Sequence, residues 1–124
     1  MKKPALIFAL LLLFSPLPAF AAHPHPESYY VAKWCAEQHG QTEVRLPDGT
    51  RADCVTDTHA IEFDFAHKWY EAVGQAMYYG LQTGKEPGIV LIMEKPGDYK
   101  YWLRMNSTLE HYRVPVKMWK LEGK

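Results

Sequence analysis

Charge of either sign is missing in net terms: 14 Lys and Arg face 14 Asp and Glu over 124 residues. The overall basicity of a strong nonspecific nucleic-acid binder is therefore absent, and any polyanion would have to be gripped locally. Only two cysteines occur, Cys35 and Cys54, without CxxC or HxxxH spacing, which leaves an ordinary structural zinc site unsupported. No glycine cluster has the spacing of a phosphate-binding loop. Internal repeats and linkers are lacking too, and the length admits one domain with one core. With hydrophobic residues at 48% and charged residues at 23%, the composition is that of a chain that packs.

The longest apolar run, Ala5 to Phe14, is too short for a bilayer, which takes about 20 predominantly apolar residues. Lys2 and Lys3 precede it, and Pro16 and Pro18 precede Ala19-Phe20-Ala21. That order predicts a signal peptide over residues 1–21, hence an exported protein, periplasmic or secreted, with no membrane attachment after cleavage. Loss of Lys2 and Lys3 leaves 12 basic against 14 acidic residues, a faintly acidic mature chain. Its basic residues gather late: Lys95, Lys100, Arg104, Arg113, Lys117, Lys120 and Lys124 face Asp98, Glu110 and Glu122. This end reads as a solvated surface or a face for phosphate. In an oxidising compartment the cysteine pair predicts a Cys35–Cys54 disulfide.

Residues 22–27, with His23-Pro-His25-Pro26, read as an extended leader with no reason to pack, ahead of a single domain over 28–124. Ser28 is a plausible cap for a helix over about 29–38, stopped by Gly40. Residues 42–46, 51–56 and 59–65 alternate as strands, with Pro47-Asp-Gly49 and Asp57-Thr58 as turns, so a three-strand meander is expected. Trp69, Val73, Ala76, Met77 and Gly80 then recur at helical spacing up to Gly84. The apolar run 88–93 predicts a strand at the sheet centre. Asp98 can cap a helix to about Tyr112, and 114–121, holding Pro115, predicts an edge strand. The resulting order is α-β-β-β-α-β-α-β, an α/β chain with a mixed sheet.

If the second and third strands form a hairpin with Asp57-Thr58 at the tip, Asp53 opposes Glu62. Like charges placed there repel, and a divalent cation offsets this: Mg²⁺ takes one or two carboxylates and keeps positions for water and phosphate. Period two sets Asp64 on the face of Glu62. The same register places Arg51 opposite Asp64, so Asp64 is either a metal ligand or half of a cross-strand ion pair. Asp57 reads as a turn residue. Lys68, at the start of the following helix, could bring its ammonium back to the carboxylates. Glu71 and Gln75 share its face; Glu71 reads as exposed, and Gln75 could bond Lys68 or a ligand.

These residues resemble the PD-(D/E)XK, or restriction-endonuclease-like, nuclease superfamily over about residues 29–116. Its pattern sets an Asp on the second strand and (Asp/Glu)-x-Lys on the third, within an αβββαβ core, to which this chain adds a C-terminal helix and edge strand. Asp53 and Glu62 match; Asp64 stands where the family has Lys, and Lys68 suits members whose lysine has moved to the next helix. The resemblance implies an Mg²⁺- or Mn²⁺-dependent nuclease acting on nucleic acid, DNA foremost. Asp53, Glu62 and Asp64 would serve as metal ligands, Lys68 would activate water, and Glu37 would be the acidic residue of the first helix. A homodimer is compatible with it. The alternative is an inactive exported module of the same fold that binds nucleic acid or protein, with Trp34, Trp69, Trp102, Trp119 and eight tyrosines offering stacking surfaces.

Overall fold

A computed structural model describes residues 23–123; the expected signal peptide lies outside the described residues. The chain is a mixed α/β protein with three helices and one five-stranded mixed sheet. The elements are α1 (Glu27–Glu37), β1 (Gln41–Arg45), β2 (Arg51–Val55), β3 (His59–Phe65), α2 (Trp69–Thr83), β4 (Glu86–Met93), α3 (Tyr99–His111) and β5 (Lys117–Glu122). Spatial order follows chain order, β1-β2-β3-β4-β5. The first three strands form the expected antiparallel meander, and β3, β4 and β5 are mutually parallel. The parallel steps need crossovers, supplied by α2 and α3.

Two apolar layers enclose the sheet. On one face, Tyr30, Val31 and Trp34 of α1 pack on Ile61, Phe63, Phe65, Val90 and Ile92. On the other, Trp69, Ala72 and Ala76 of α2 and Met105 and Leu109 of α3 pack on Ile89 and Leu91. Because β4 lies between two parallel neighbours and beneath both layers, it is almost wholly apolar, as the run 88–93 requires. It is interior, but the middle strand is β3. β5 is the edge strand that Pro115 suggested, beginning two residues beyond that proline.

The disulfide Cys35–Cys54 ties α1 to β2, with Cα atoms 5.9 Å apart. Gly40 follows from it: a Cβ there would stand 2.7 Å from Cys35 Sγ and 2.8 Å from Cys54 Sγ. Gly84 ends α2 in the left-handed conformation, φ 67°.

The leader departs from expectation. Helix α1 starts at Glu27 behind an extended Pro26, so Ser28 lies inside the helix rather than capping it. His23 stacks on Phe65 with ring centroids 3.6 Å apart and bonds Glu94 through Nδ1, and His25 stacks on Tyr29 at 4.0 Å. Aromatic partners on α1 and β3 give these imidazoles a reason to pack that the His-Pro alternation conceals. Asp98 precedes α3 as foreseen, but its buried Oδ2 accepts the N–H groups of Glu94 and Lys95 instead of capping that helix.

Candidate functional site

The β2–β3 hairpin closes as read from the sequence. Thr56 N–H donates to the His59 carbonyl at 2.9 Å, and Val55 pairs with Ala60 and Cys54 with Ile61. Regular pairing stops there. Ala52 packs with Ala60 and Tyr79 on the α2 side, whereas Cys54 faces α1 through its disulfide, so strict alternation is broken at Asp53. Across from it on β1, Glu43 takes a positive φ of 52°. The strand turns at Asp53, and its carboxylate Oδ2 accepts the Phe63 N–H at 2.8 Å, replacing the partner that β3 loses as β2 leaves.

This placement brings Asp53 against Glu62, and the two carboxyls share a hydrogen bond. Glu62 is only 5% exposed, and its Oε2 has no hydrogen-bond partner. A buried polar atom left unpaired costs about 1–3 kcal/mol. Burial first, then the charge and hydrogen bond of Asp53, push the Glu62 carboxyl up to about 10. Burial also raises Asp53, opposed by the Phe63 N–H and the bond to Glu62. Without a cation, burial and the neighbouring Asp53 keep a proton on Glu62 at neutral pH.

Glu62 pairs with Ile89 and Asp64 with Leu91, so both acids occupy the α2 face of the sheet. Asp64 is buried, with Oδ1 accepting the Phe65 N–H at 2.9 Å. Its carboxyl is raised to about 6 by burial, against the lowering effect of the Lys68 ammonium and the Phe65 N–H. Arg51 does not reach it: because β2 has left β3, Arg51 lies opposite Arg45 on β1 and pairs with Glu43 at 3.4 Å. Of the two readings of Asp64, the cross-strand ion pair is thus absent, and Asp64 has Lys68 as its neighbour instead, in the single 3₁₀ turn Ala66–Lys68 ahead of α2. Lys68, Glu71 and Gln75 are exposed, and Asp57 sits in the turn with its carbonyl accepting Lys85 Nζ at 2.7 Å.

Glu37 is not part of this group. It lies at the far end of α1, beside Lys33, Leu121 and Glu122. The acid that α1 contributes is Glu27, in its first turn. Burial and the charges of Asp53 and Asp64 raise its carboxyl to about 7, with Lys68 acting the other way. The signal for Glu27 was an acidic residue directly after a proline, at a helix start. Tyr79 was likewise missed as a neighbour. It is buried in α2, and its hydroxyl is raised by burial and by the charges of Glu62 and Asp53; it falls on the helix face of Lys68 and Gln75, eleven and four residues on.

Among the described residues, no three His, Cys, Asp or Glu side chains stand together in an arrangement that could hold one metal ion. The close pair is Asp53 with Glu62, which suffices for a cation that keeps waters in its remaining positions. No helix among the described residues is long and apolar enough to cross a membrane. Comparison with protein-family models, curated proteins and solved structures gives no match.

Proposed function

We propose that this chain is an exported, metal-dependent nuclease of restriction-endonuclease-like architecture that hydrolyses phosphodiester bonds, with DNA the leading substrate. The observation that carries the reading is the buried, unpartnered Oε2 of Glu62 held against Asp53. An isolated pair of like acids beneath a helix is costly, and a hard divalent cation is the ligand whose chemistry offsets that cost. The residues therefore fit Mg²⁺ or Mn²⁺, with Asp53 and Glu62 as the holders and with the charges of Asp64 and Glu27 felt at the pair. When bound, such an ion supplies Lewis-acid charge at a phosphoryl oxygen.

The chain's own groups have distinct parts in this reading. Asp64, raised to about 6, lies in the range where a carboxylate accepts a proton from water near neutral pH. The exposed ammonium of Lys68, whose charge is felt by both Asp64 and Glu27, orients that water or offsets charge developing on phosphate. Glu27 replaces Glu37 as the first-helix acid. The order αβββαβ, the hairpin register and the Cys35–Cys54 bridge, which suits an oxidising compartment, support the same reading.

The test is incubation of the purified protein with labelled single-stranded, double-stranded and branched DNA in the presence of Mg²⁺ or Mn²⁺. Cleavage that chelator abolishes and Asp53→Ala removes is expected. No cleavage of any substrate, or cleavage undiminished by Asp53→Ala, refutes the proposal.

A further inference from the structure

Three basic side chains around α3 and on β5 rest on aromatic rings instead of on acids. Lys100 Nζ stands 4.9 Å from the Tyr101 ring centre, and Arg104 Cζ lies 5.7 Å from the same ring. Lys120 Nζ lies 5.4 Å from both the Tyr99 and the Trp102 rings. All three cations are exposed, and Tyr99 is 48% exposed. None of them pairs with a carboxylate among the described residues, where the ion pairs are Arg51–Glu43 and His23–Glu94. The nearby acids are mostly engaged: Glu94 with His23 and Tyr30, and Asp98 with the N–H groups of Glu94 and Lys95; Glu122 alone stands exposed at that end.

The sheet register connects this group to the carboxylates. Asp64 pairs with Leu91, and Leu91 with Lys120, so Asp64 and Lys120 stand in one row across β3, β4 and β5. Two strand spacings separate them, about 10 Å. Tyr99 and Lys100 open α3 at the C-terminal end of the parallel strands, the end where Lys68 also stands. Ligands of open α/β sheets bind at that end.

We propose that Tyr99, Lys100, Tyr101, Trp102, Arg104 and Lys120 form a binding surface for single-stranded nucleic acid, leading the strand toward Asp64. The inference takes its ligand class from the nuclease reading and adds the strand state. Exposed cations seated on rings around the start of α3 meet phosphates while the exposed ring of Tyr99 and the Arg104 guanidinium offer flat faces to bases. A duplex keeps its base faces stacked inside and cannot use the rings. A single strand presents both phosphates and faces.

Binding is measured in EDTA, where no hydrolysis can occur, by fluorescence anisotropy of a labelled oligothymidylate of about 12 nucleotides, within ordinary single-strand site sizes. The purified protein is expected to bind it more tightly than a duplex of equal length. The triple variant Lys100→Ala, Arg104→Ala, Lys120→Ala should weaken binding about tenfold or more and reduce the slope of log K against log salt by about 2. Tyr99→Ala should weaken it by about tenfold with the salt slope kept. Should the triple variant melt early, Lys120→Glu alone carries the test. Equal binding of duplex and single strand, unchanged binding by these variants, or charge-dependent binding to phosphatidylglycerol vesicles without oligonucleotide binding overturns the proposal. Binding that these variants weaken, by a protein that cleaves nothing, overturns the nuclease reading and leaves this one standing.

Discussion

Replacing Glu62 by Gln should make the metal-free protein more stable, an unusual outcome for a 5%-exposed polar side chain in a central strand. In the folded protein the carboxyl is raised from an ordinary 4.5 to about 10, mainly by burial and then by Asp53. A raised carboxyl means that the folded state binds the proton more tightly than the unfolded chain does. Its stability contribution is therefore greatest below the unfolded value, declines as pH climbs from 4.5, and is fully lost only above about 10. Between pH 4.5 and 7 the loss amounts to about 3 kcal/mol, taking 1.36 kcal/mol per pH unit. Gln has the shape of the protonated acid, can still donate to Asp53, and does not titrate. At neutral pH and in EDTA, Glu62→Gln should melt higher by more than about 10 °C, since a domain of this size gains about 4–8 °C per kcal/mol. Wild type should lose stability from pH 5 to pH 8 much faster than the variant. Added Mg²⁺ should raise the melting temperature of wild type and leave the variant unmoved, because a ligand stabilises only the state that binds it. A variant that melts no higher than wild type at pH 7, or that loses stability with pH just as steeply, refutes the reasoning.

Other expectations follow from the same geometry. Lys68→Ala should raise the Asp64 carboxyl above its value of about 6, since the ammonium lowers it, and side-chain carbon NMR against pH reads the shift directly. Glu27→Gln should move Glu62 downward in the same experiment, since the Glu27 charge raises it. Cys35→Ser with Cys54→Ser should cost about 3 kcal/mol in urea unfolding, from a crosslink of sequence separation 19. Gly40→Ala should cost about 1–3 kcal/mol, because its methyl group would press on both sulfur atoms; a melt equal to wild type would contradict that.

The parts of this molecule legible in the sequence are those set by local signals. The Asp57-Thr58 tip between two alternating runs defined the β2–β3 register as far as Cys54 and Ile61; beyond it the expected Asp53–Glu62 pairing is absent from the ladder, and Asp53 meets Glu62 through the turn of β2 instead. Gly84 and the apolar run of β4 likewise marked a helix end and an interior strand. The turn of β2 at Asp53 was not legible, because strict alternation treats Ala52 and Cys54 as sharing a face; only the α2 packing of Ala52 and the disulfide of Cys54 reveal that they do not. The same departure of β2 separates Arg51 from Asp64. Glu27 was hidden for a different reason. A His-Pro-His-Pro leader looks extended in isolation, and only Phe65, Tyr29 and Glu94 give its imidazoles something to hold. With His23 and His25 seated, α1 starts one residue before Ser28, and it is the acid of its first turn, not its last, whose charge couples to Asp53 and Asp64.

The central claim is that Asp53 and Glu62 together hold a divalent cation, and calorimetric titration of Mn²⁺ into the purified protein at neutral pH, repeated in buffers of different ionisation enthalpy, tests it most directly. One site is expected, with release of close to one proton as Glu62 ionises on binding, affinity that rises with pH, and loss of the site in Glu62→Gln. Saturation without proton release, or the same isotherm from wild type and Glu62→Gln, would contradict it.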